Sequence, residues 1–125
     1  MKSRVFSTLA LSLATALVAT AAQAEPAPRM SGGMLVNASG MTLYTFDKDT
    51  AGNGKSACNG ACATLWPPAM ADADAKAGGD FSIVTRDDGA RQWAHKGKPV
   101  YTYTPDTKVG DMTGDKFKGV WHIVK

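Results

Sequence analysis

The stretch Gly40-Met41-Thr42-Leu43-Tyr44-Thr45-Phe46-Asp47-Lys48-Asp49-Thr50 is written twice in this chain. Fifty-seven positions later comes Gly97-Lys98-Pro99-Val100-Tyr101-Thr102-Tyr103-Thr104-Pro105-Asp106-Thr107. Glycine, aliphatic, tyrosine, threonine, a second aromatic, aspartate and threonine recur in register, which marks an internal duplication. Each copy then runs through a polar, glycine-rich excursion and closes on an aliphatic followed by tryptophan, Leu65-Trp66 and Val120-Trp121. The offset there is 55, so the two excursions differ by a small insertion or deletion, as loops tolerate. Within the motif the residues are β-formers, and strand alternation puts Tyr44 and Phe46 on one face with Leu43 and Thr45 opposite. Tyr101 and Tyr103 share a face by the same rule. Each aromatic pair either packs its own sheet or, together with its twin, makes a platform for a ligand.

Working outward, Met34-Leu35-Val36 and Thr42–Phe46 flank the turn residues Asn37-Ala38-Ser39-Gly40, a hairpin signal. The duplicate repeats it with Arg91–His95, the turn Lys96-Gly97-Lys98-Pro99, and Val100–Thr104. Phe81–Thr85 reads as a strand, and Asp87-Asp88-Gly89 as a tight turn leading into Gln92-Trp93. Residues 25–32, with two prolines and Gly32, read as a flexible lead-in. Residues 69–77 have helix composition but alternate rather than showing a 3.6-residue stripe, which suits a short surface helix or a loop. Trp66-Pro67-Pro68 reads as a stiff extended segment that cannot pair as a central strand. No sustained amphipathic helix is present, so the class is mainly β. The expected architecture is a single compact antiparallel β domain over residues 33–125, made of two tandem related repeats, about 33–68 and about 81–125, with long loops and at most short helices. Their aromatic strands pack side by side, since neither unit alone could cover its apolar face.

At the other end of the chain, Lys2 and Arg4 precede an uncharged run from Val5 to Ala22 and the small-x-small sequence Ala22-Gln23-Ala24. This is the pattern of a secretory signal peptide over residues 1–24, cleaved after Ala24, rather than of a membrane anchor. Taking Lys2 and Arg4 from the 14 basic residues leaves 12 against 11 acidic ones, a formal charge of +1. The alkaline pI of the whole chain therefore does not point to nucleic acid, and no basic stripe with interleaved aromatics replaces it. The mature chain is expected to be a periplasmic or secreted monomer, soluble, with no transmembrane segment after cleavage.

The two Y-x-aromatic-x-x-D segments, Tyr44-Thr45-Phe46-Asp47-Lys48-Asp49 and Tyr101-Thr102-Tyr103-Thr104-Pro105-Asp106, resemble the secreted-repeat proteins, often described as lipoproteins, that a Y-x-(F/W/Y)-x-x-D motif defines. Lys55–Cys62 with Leu65-Trp66-Pro67-Pro68, and the closing Gly119-Val120-Trp121-His122, are similar to that family's other signatures. The resemblance covers nearly the whole mature chain and implies no settled biochemical activity. The chain lacks a lipid-acceptor cysteine near the cleavage point, which favours a soluble periplasmic form.

Two constellations carry chemistry. Cys58 and Cys62, three residues apart in an exported chain, read first as a structural disulfide worth about 2 kcal/mol, second as a redox-active pair, and third as a metal-binding dithiol. An undistorted helix holds such Cβ atoms ~5–6 Å apart, too far for a bridge, so Asn59-Gly60 must bend the backbone. A metal site would draw on Cys58, Cys62, His95 and His122 and suit copper or zinc, with Met30, Met34, Met41, Met70 and Met112 as scattered soft donors. Asp47–Asn53 opens like a calcium loop but lacks its fifth and twelfth ligands, and reads as turn chemistry. No nucleophile elbow, Walker loop, Rossmann fingerprint or C-x-x-C-H haem motif occurs. The expectation is a non-enzymatic exported protein with no cofactor, binding a small ligand, a metal or an envelope partner. A redox or copper-handling accessory protein using Cys58 and Cys62 is the alternative, and a purely structural envelope protein the third.

Overall fold

Alternation decides the core. In the computed structural model, which describes residues 24–125, the motif strands run between two apolar clusters and feed both. Tyr44, Phe46, Tyr101 and Tyr103 point into one, with Cys58, Trp66 and Trp121. Leu43 and Val100, one residue out of phase, point into the other, with Leu35, Ala69, Ala71 and Trp93. The signal peptide read over residues 1–24 lies outside the described residues except for Ala24.

In chain order the elements are strands β1 (Arg29–Ser31), β2 (Met34–Val36) and β3 (Tyr44–Phe46), helix α1 (Ala61–Leu65), strands β4 (Phe81–Thr85), β5 (Arg91–His95) and β6 (Lys98–Pro99), a 3-10 turn at Phe117–Gly119, and β7 (Trp121–Ile123). They make three small antiparallel sheets, β1-β2, β3-β7 and β4-β5-β6. The Asp87-Asp88-Gly89 turn joins β4 to β5 as expected, with Phe81 opposite His95 and Thr85 opposite Arg91.

The repeats are joined by exchange. Tyr44 and Tyr101 face each other and trade both backbone hydrogen bonds, Tyr44 N–H to Tyr101 O at 2.8 Å and Tyr101 N–H to Tyr44 O at 3.0 Å. From that pair outward each copy uses the other. Strand β3 of the first repeat pairs with β7 of the second, Phe46 opposite Trp121. The second motif strand pairs with the Trp66-Pro67-Pro68 segment of the first, Thr102 N–H donating to Pro67 O at 2.8 Å and Thr104 N–H to Leu65 O at 3.0 Å. Proline has no N–H, so this segment can serve only through its carbonyls, and it does. The same crossing orders the aromatics. Phe46, Trp121, Trp66 and Tyr103 form one continuous stack with centroid spacings of 4.3, 3.8 and 4.0 Å, alternating between repeats. Such pairs are each worth about 0.5–1.5 kcal/mol beyond the area they bury.

Three expectations differ. Of the second motif segment, Val100–Thr104, expected as a strand, only Tyr101 is in a bridge, and the strand β6 falls on Lys98–Pro99, which reads as turn in the sequence. Residues 25–32 are not a loose lead-in: Arg29 pairs with Val36 in β1-β2, Glu25 N–H donates to Met70 O at 3.0 Å, and the Trp93 indole N–H donates to Glu25 O at 2.9 Å. A buried indole N–H requires an acceptor, and this backbone carbonyl supplies it. Residues 69–77 take the loop alternative, not the helix. Ala69 and Ala71 donate to Val100 O and Arg91 O, so the alternating Ala-Met-Ala pattern is read out at period two. The one α-helix among the described residues is α1, where no helix was expected.

Gly114 sits where the tryptophan stack leaves no room. A Cβ there would lie 2.6 Å from the Trp66 ring and 2.8 Å from that of Tyr103. Gly114→Ala is therefore expected to cost about 1–3 kcal/mol through overpacking, read as a lower urea midpoint at unchanged slope. An unchanged midpoint would mean that the stack yields freely.

Candidate functional site

The leading tyrosine and the aspartate of each motif are tied to those of the other copy. The Tyr44 hydroxyl donates to Asp106 Oδ2 at 2.5 Å, and the Tyr101 hydroxyl to Asp49 Oδ2 at 2.7 Å. Each aspartate spends its second oxygen on its own loop: Asp49 Oδ1 accepts from Ala57 N–H at 2.6 Å, and Asp106 Oδ1 from Thr113 N–H at 3.0 Å. Tyr44, Phe46, Asp49, Tyr101, Tyr103 and Asp106 are all buried. The aromatic pairs therefore line an interior and present no open platform.

Around Tyr101 the network continues to a charge. Arg86, 5% exposed, donates from Nη1 to Ser56 Oγ at 3.0 Å and to Gln92 Oε1 at 2.8 Å. From Nη2 it donates to Cys58 O at 2.6 Å and Asn59 Oδ1 at 3.2 Å. Ser56 Oγ lies 2.5 Å from the Tyr101 hydroxyl. Because Tyr101 gives its proton to Asp49, Ser56 must donate to Tyr101 and accept from Arg86. The guanidinium and the Asp49 carboxylate thus form a buried opposite-charge pair separated by two aligned hydroxyls, each link a hydrogen bond. Gln92, fully buried, ties the far end to Val100 O at 2.9 Å. Arg86, Ser56 and Gln92 carried no signal in the sequence, since an arginine beside an Asp-Asp-Gly turn and a serine in a polar loop read as solvated.

Cys58 and Cys62 form a disulfide with Cα atoms 5.2 Å apart. The bend expected at Asn59-Gly60 is made by Gly60, at φ 58°, immediately before α1. Cys58 is fully buried and its carbonyl is held by Arg86, so the bridge anchors the first excursion to the network. With both sulfurs in the bond, neither is a thiolate here. His122 Nε2 lies 2.9 Å from Asp47 Oδ2, both side chains over 40% exposed, a pair worth about 0–1 kcal/mol. His95, on β5, has its pKa lowered, by desolvation first and then by Lys96, with Asp80 opposing. Among the described residues no three His, Cys, Asp or Glu side chains gather to hold an ion, so Cys58, Cys62, His95 and His122 are not brought into one set.

Tyr44 and Tyr101 both have hydroxyls pushed above the ordinary tyrosine range, by burial first, then, for Tyr44, by the Asp106 carboxylate, and for Tyr101 by Asp49 against the opposing Ser56 bond. A pKa raised in the folded state means that the stability is intact below the unfolded value of about 10 and declines as pH rises above it. Urea denaturation is expected to show stability falling above about pH 10 by up to ~1.4 kcal/mol per pH unit for each of these tyrosines. Tyr44→Phe should cost about 1–3 kcal/mol at neutral pH by leaving Asp106 short of a donor, and should flatten the alkaline decline. An equally steep decline in the variant would remove Tyr44 from the linkage.

No helix among the described residues is long and apolar enough to cross a membrane. The sequence profile of a family described as a secreted repeat of unknown function matches residues 27–70 and again residues 82–125, the first match taking in β1. No curated protein and no solved structure matches the chain. Doubled over most of the sequence and coinciding with the two halves that exchange strands, that match places the chain in the family of secreted repeats of unknown function.

Proposed function

We propose that this is an exported, periplasmic, non-enzymatic protein that binds a small ligand, a metal or an envelope partner on the outer clefts and loops of a self-satisfied scaffold. The observation that carries the reading is the consumption of the motif by its own folding. Both tyrosines, both aspartates and Arg86 spend their hydrogen bonds inside, and no buried side-chain polar atom among the described residues lacks a partner. General acid, base or nucleophilic work needs a side chain with capacity to spare in a cleft. The pattern that defines the sequence is therefore taken as architecture, and binding is assigned to what surrounds it. Cleavage after Ala24, a soluble monomeric form and the absence of a resident cofactor belong to the same proposal.

The redox or copper-handling alternative rests on the placing of the disulfide. Cys62 is only half-buried, and Asn59 and Gly60, within the bridged loop, line a cleft of about 430 Å³ with Arg86 and Asp87. Native mass spectrometry with elemental analysis of protein taken from its own periplasm separates the readings. The expected result is an oxidised Cys58–Cys62 pair and a non-covalent adduct. Reduced cysteines carrying stoichiometric copper or zinc would transfer the assignment to the accessory reading, and a bare chain would favour the structural one.

A further inference from the structure

The hairpin that leads into the motif occurs in both copies, so its two surroundings can be compared. The backbone sets the correspondence. Leu35 N–H donates to Val124 O at 2.9 Å, and Trp93 N–H to Ala69 O at 2.8 Å; Leu43 N–H donates to Leu35 O, and Val100 N–H to Trp93 O. Leu35 therefore matches Trp93, Val124 matches Ala69, and Leu43 matches Val100. In the second repeat's hairpin, His95, Lys96 and Lys98 border a cleft of about 330 Å³ together with Lys125 from the chain end and Thr45 on its floor. The corresponding positions are Asn37, Ser39, Met41, Met70 and Thr102, Ala38 being one residue extra. They border the corresponding hollows on the other side of the molecule, which also take in Glu25.

The strand pairing is the same on both sides, the first copy's turn is one residue longer, and the chemistry differs. Asn, Ser, Met and Met serve one version, while His, Lys, Lys and Lys serve the other, so folding itself does not ask for the basic residues. Among the described residues no acidic side chain borders the basic cleft, and none of its three lysines is in an ion pair. Lys96 occupies a left-handed turn position at φ 49°, where asparagine, aspartate or glycine would sit with less strain. The His95 pKa is lowered by burial first and then by the neighbouring Lys96 charge, with Asp80 opposing.

From this asymmetry we propose that the cleft bordered by His95, Lys96, Lys98 and Lys125 binds a phosphate-bearing anion, and that its neutral twin does not. This deepens the binding reading given above and rests on it. Three lysines and no carboxylate along the border of one concavity suit a compact, multiply charged oxyanion through charge-assisted hydrogen bonds. The same chemistry would serve a free phosphorylated metabolite or the exposed phosphomonoester of a lipid headgroup.

The test titrates the full mature chain with inorganic pyrophosphate, and separately with phosphatidylcholine vesicles with and without phosphatidic acid, following backbone amide shifts. Saturable shifts at Thr45, His95–Lys98 and Ile123–Lys125, absent at Asn37–Met41 and Thr102, are expected. The double variant Lys96→Asn, Lys98→Met puts a residue suited to the left-handed turn at one position and the twin's own methionine at the other, which keeps the fold, and it should weaken binding at least about tenfold. A response to pyrophosphate assigns a soluble ligand, and a response to phosphatidic acid vesicles alone assigns a headgroup; either supports the site. No saturable response, equal response of both clefts, or undiminished binding by the variant overturns it. Should the titration fail while native mass spectrometry still shows an adduct, the site falls and the binding reading stands. Should the titration fail and the periplasmic chain also carry no adduct, both fall.

Discussion

The structure depends on one backbone pair, Tyr44 facing Tyr101, and on the fact that everything about that pair crosses from one copy to the other. The hydroxyl of each tyrosine is tied to the aspartate of the opposite motif, and each motif strand lies against the tryptophan-bearing segment of the opposite repeat. A tyrosine buried at the centre of an aromatic cluster needs an acceptor, and an aspartate buried at a loop base needs donors. Two copies related by a twofold answer both needs reciprocally. The motif therefore works as half of a joint, and the spacing from tyrosine to aspartate is the reach that lets a loop from one copy arrive over the ring of the other.

Much of this was legible because strand periodicity is a local rule. The separation of Tyr44 and Phe46 from Leu43, the hairpin at Asp87-Asp88-Gly89, and the bend at Asn59-Gly60 all follow from residue type and spacing over a few positions. What stayed hidden was set by partners far away in sequence. Arg86 is buried because Ser56, Cys58 and Asn59, all from the first repeat, converge on it together with Gln92, and those three lie too far off in the chain to announce it. Glu25 looked loose for the same reason, its order coming from Met70 and Trp93, whereas Arg29–Ser31 pairs with the nearby Met34–Val36 without the alternation that marks a strand. Of the candidate site residues, the motif and the cysteines were visible as patterns, but whether the aromatic pairs faced in or out was not, since alternation fixes which residues share a face and says nothing of what covers it.

Duplication also separates what folding demands from what it permits. Where the two copies agree, at tyrosine, aspartate and the tryptophan stack, the agreement is accounted for by reciprocal contacts. Where they differ, local chemistry has been free to vary over the same backbone: a disulfide and buried Cys58 beside the first loop, a bare Gly114 pressed on Trp66 in the second, neutral side chains along one hairpin and basic ones along the other. The scaffold is held by the shared part, which leaves each unshared part open to be used or neglected without loss of the whole.

The placing of β7 has a consequence for the order in which the chain can fold. Its partner strand, Tyr44–Phe46, is made early, but the tryptophan that pairs with Phe46 comes from the far end of the second repeat. Until that segment arrives the first copy holds an aromatic surface with nothing to close on, and so wide a sequence separation makes the closing contact slow to form. Each half is thereby left open until the other exists, and the interior is finished in a single late event that neither copy can carry out by itself.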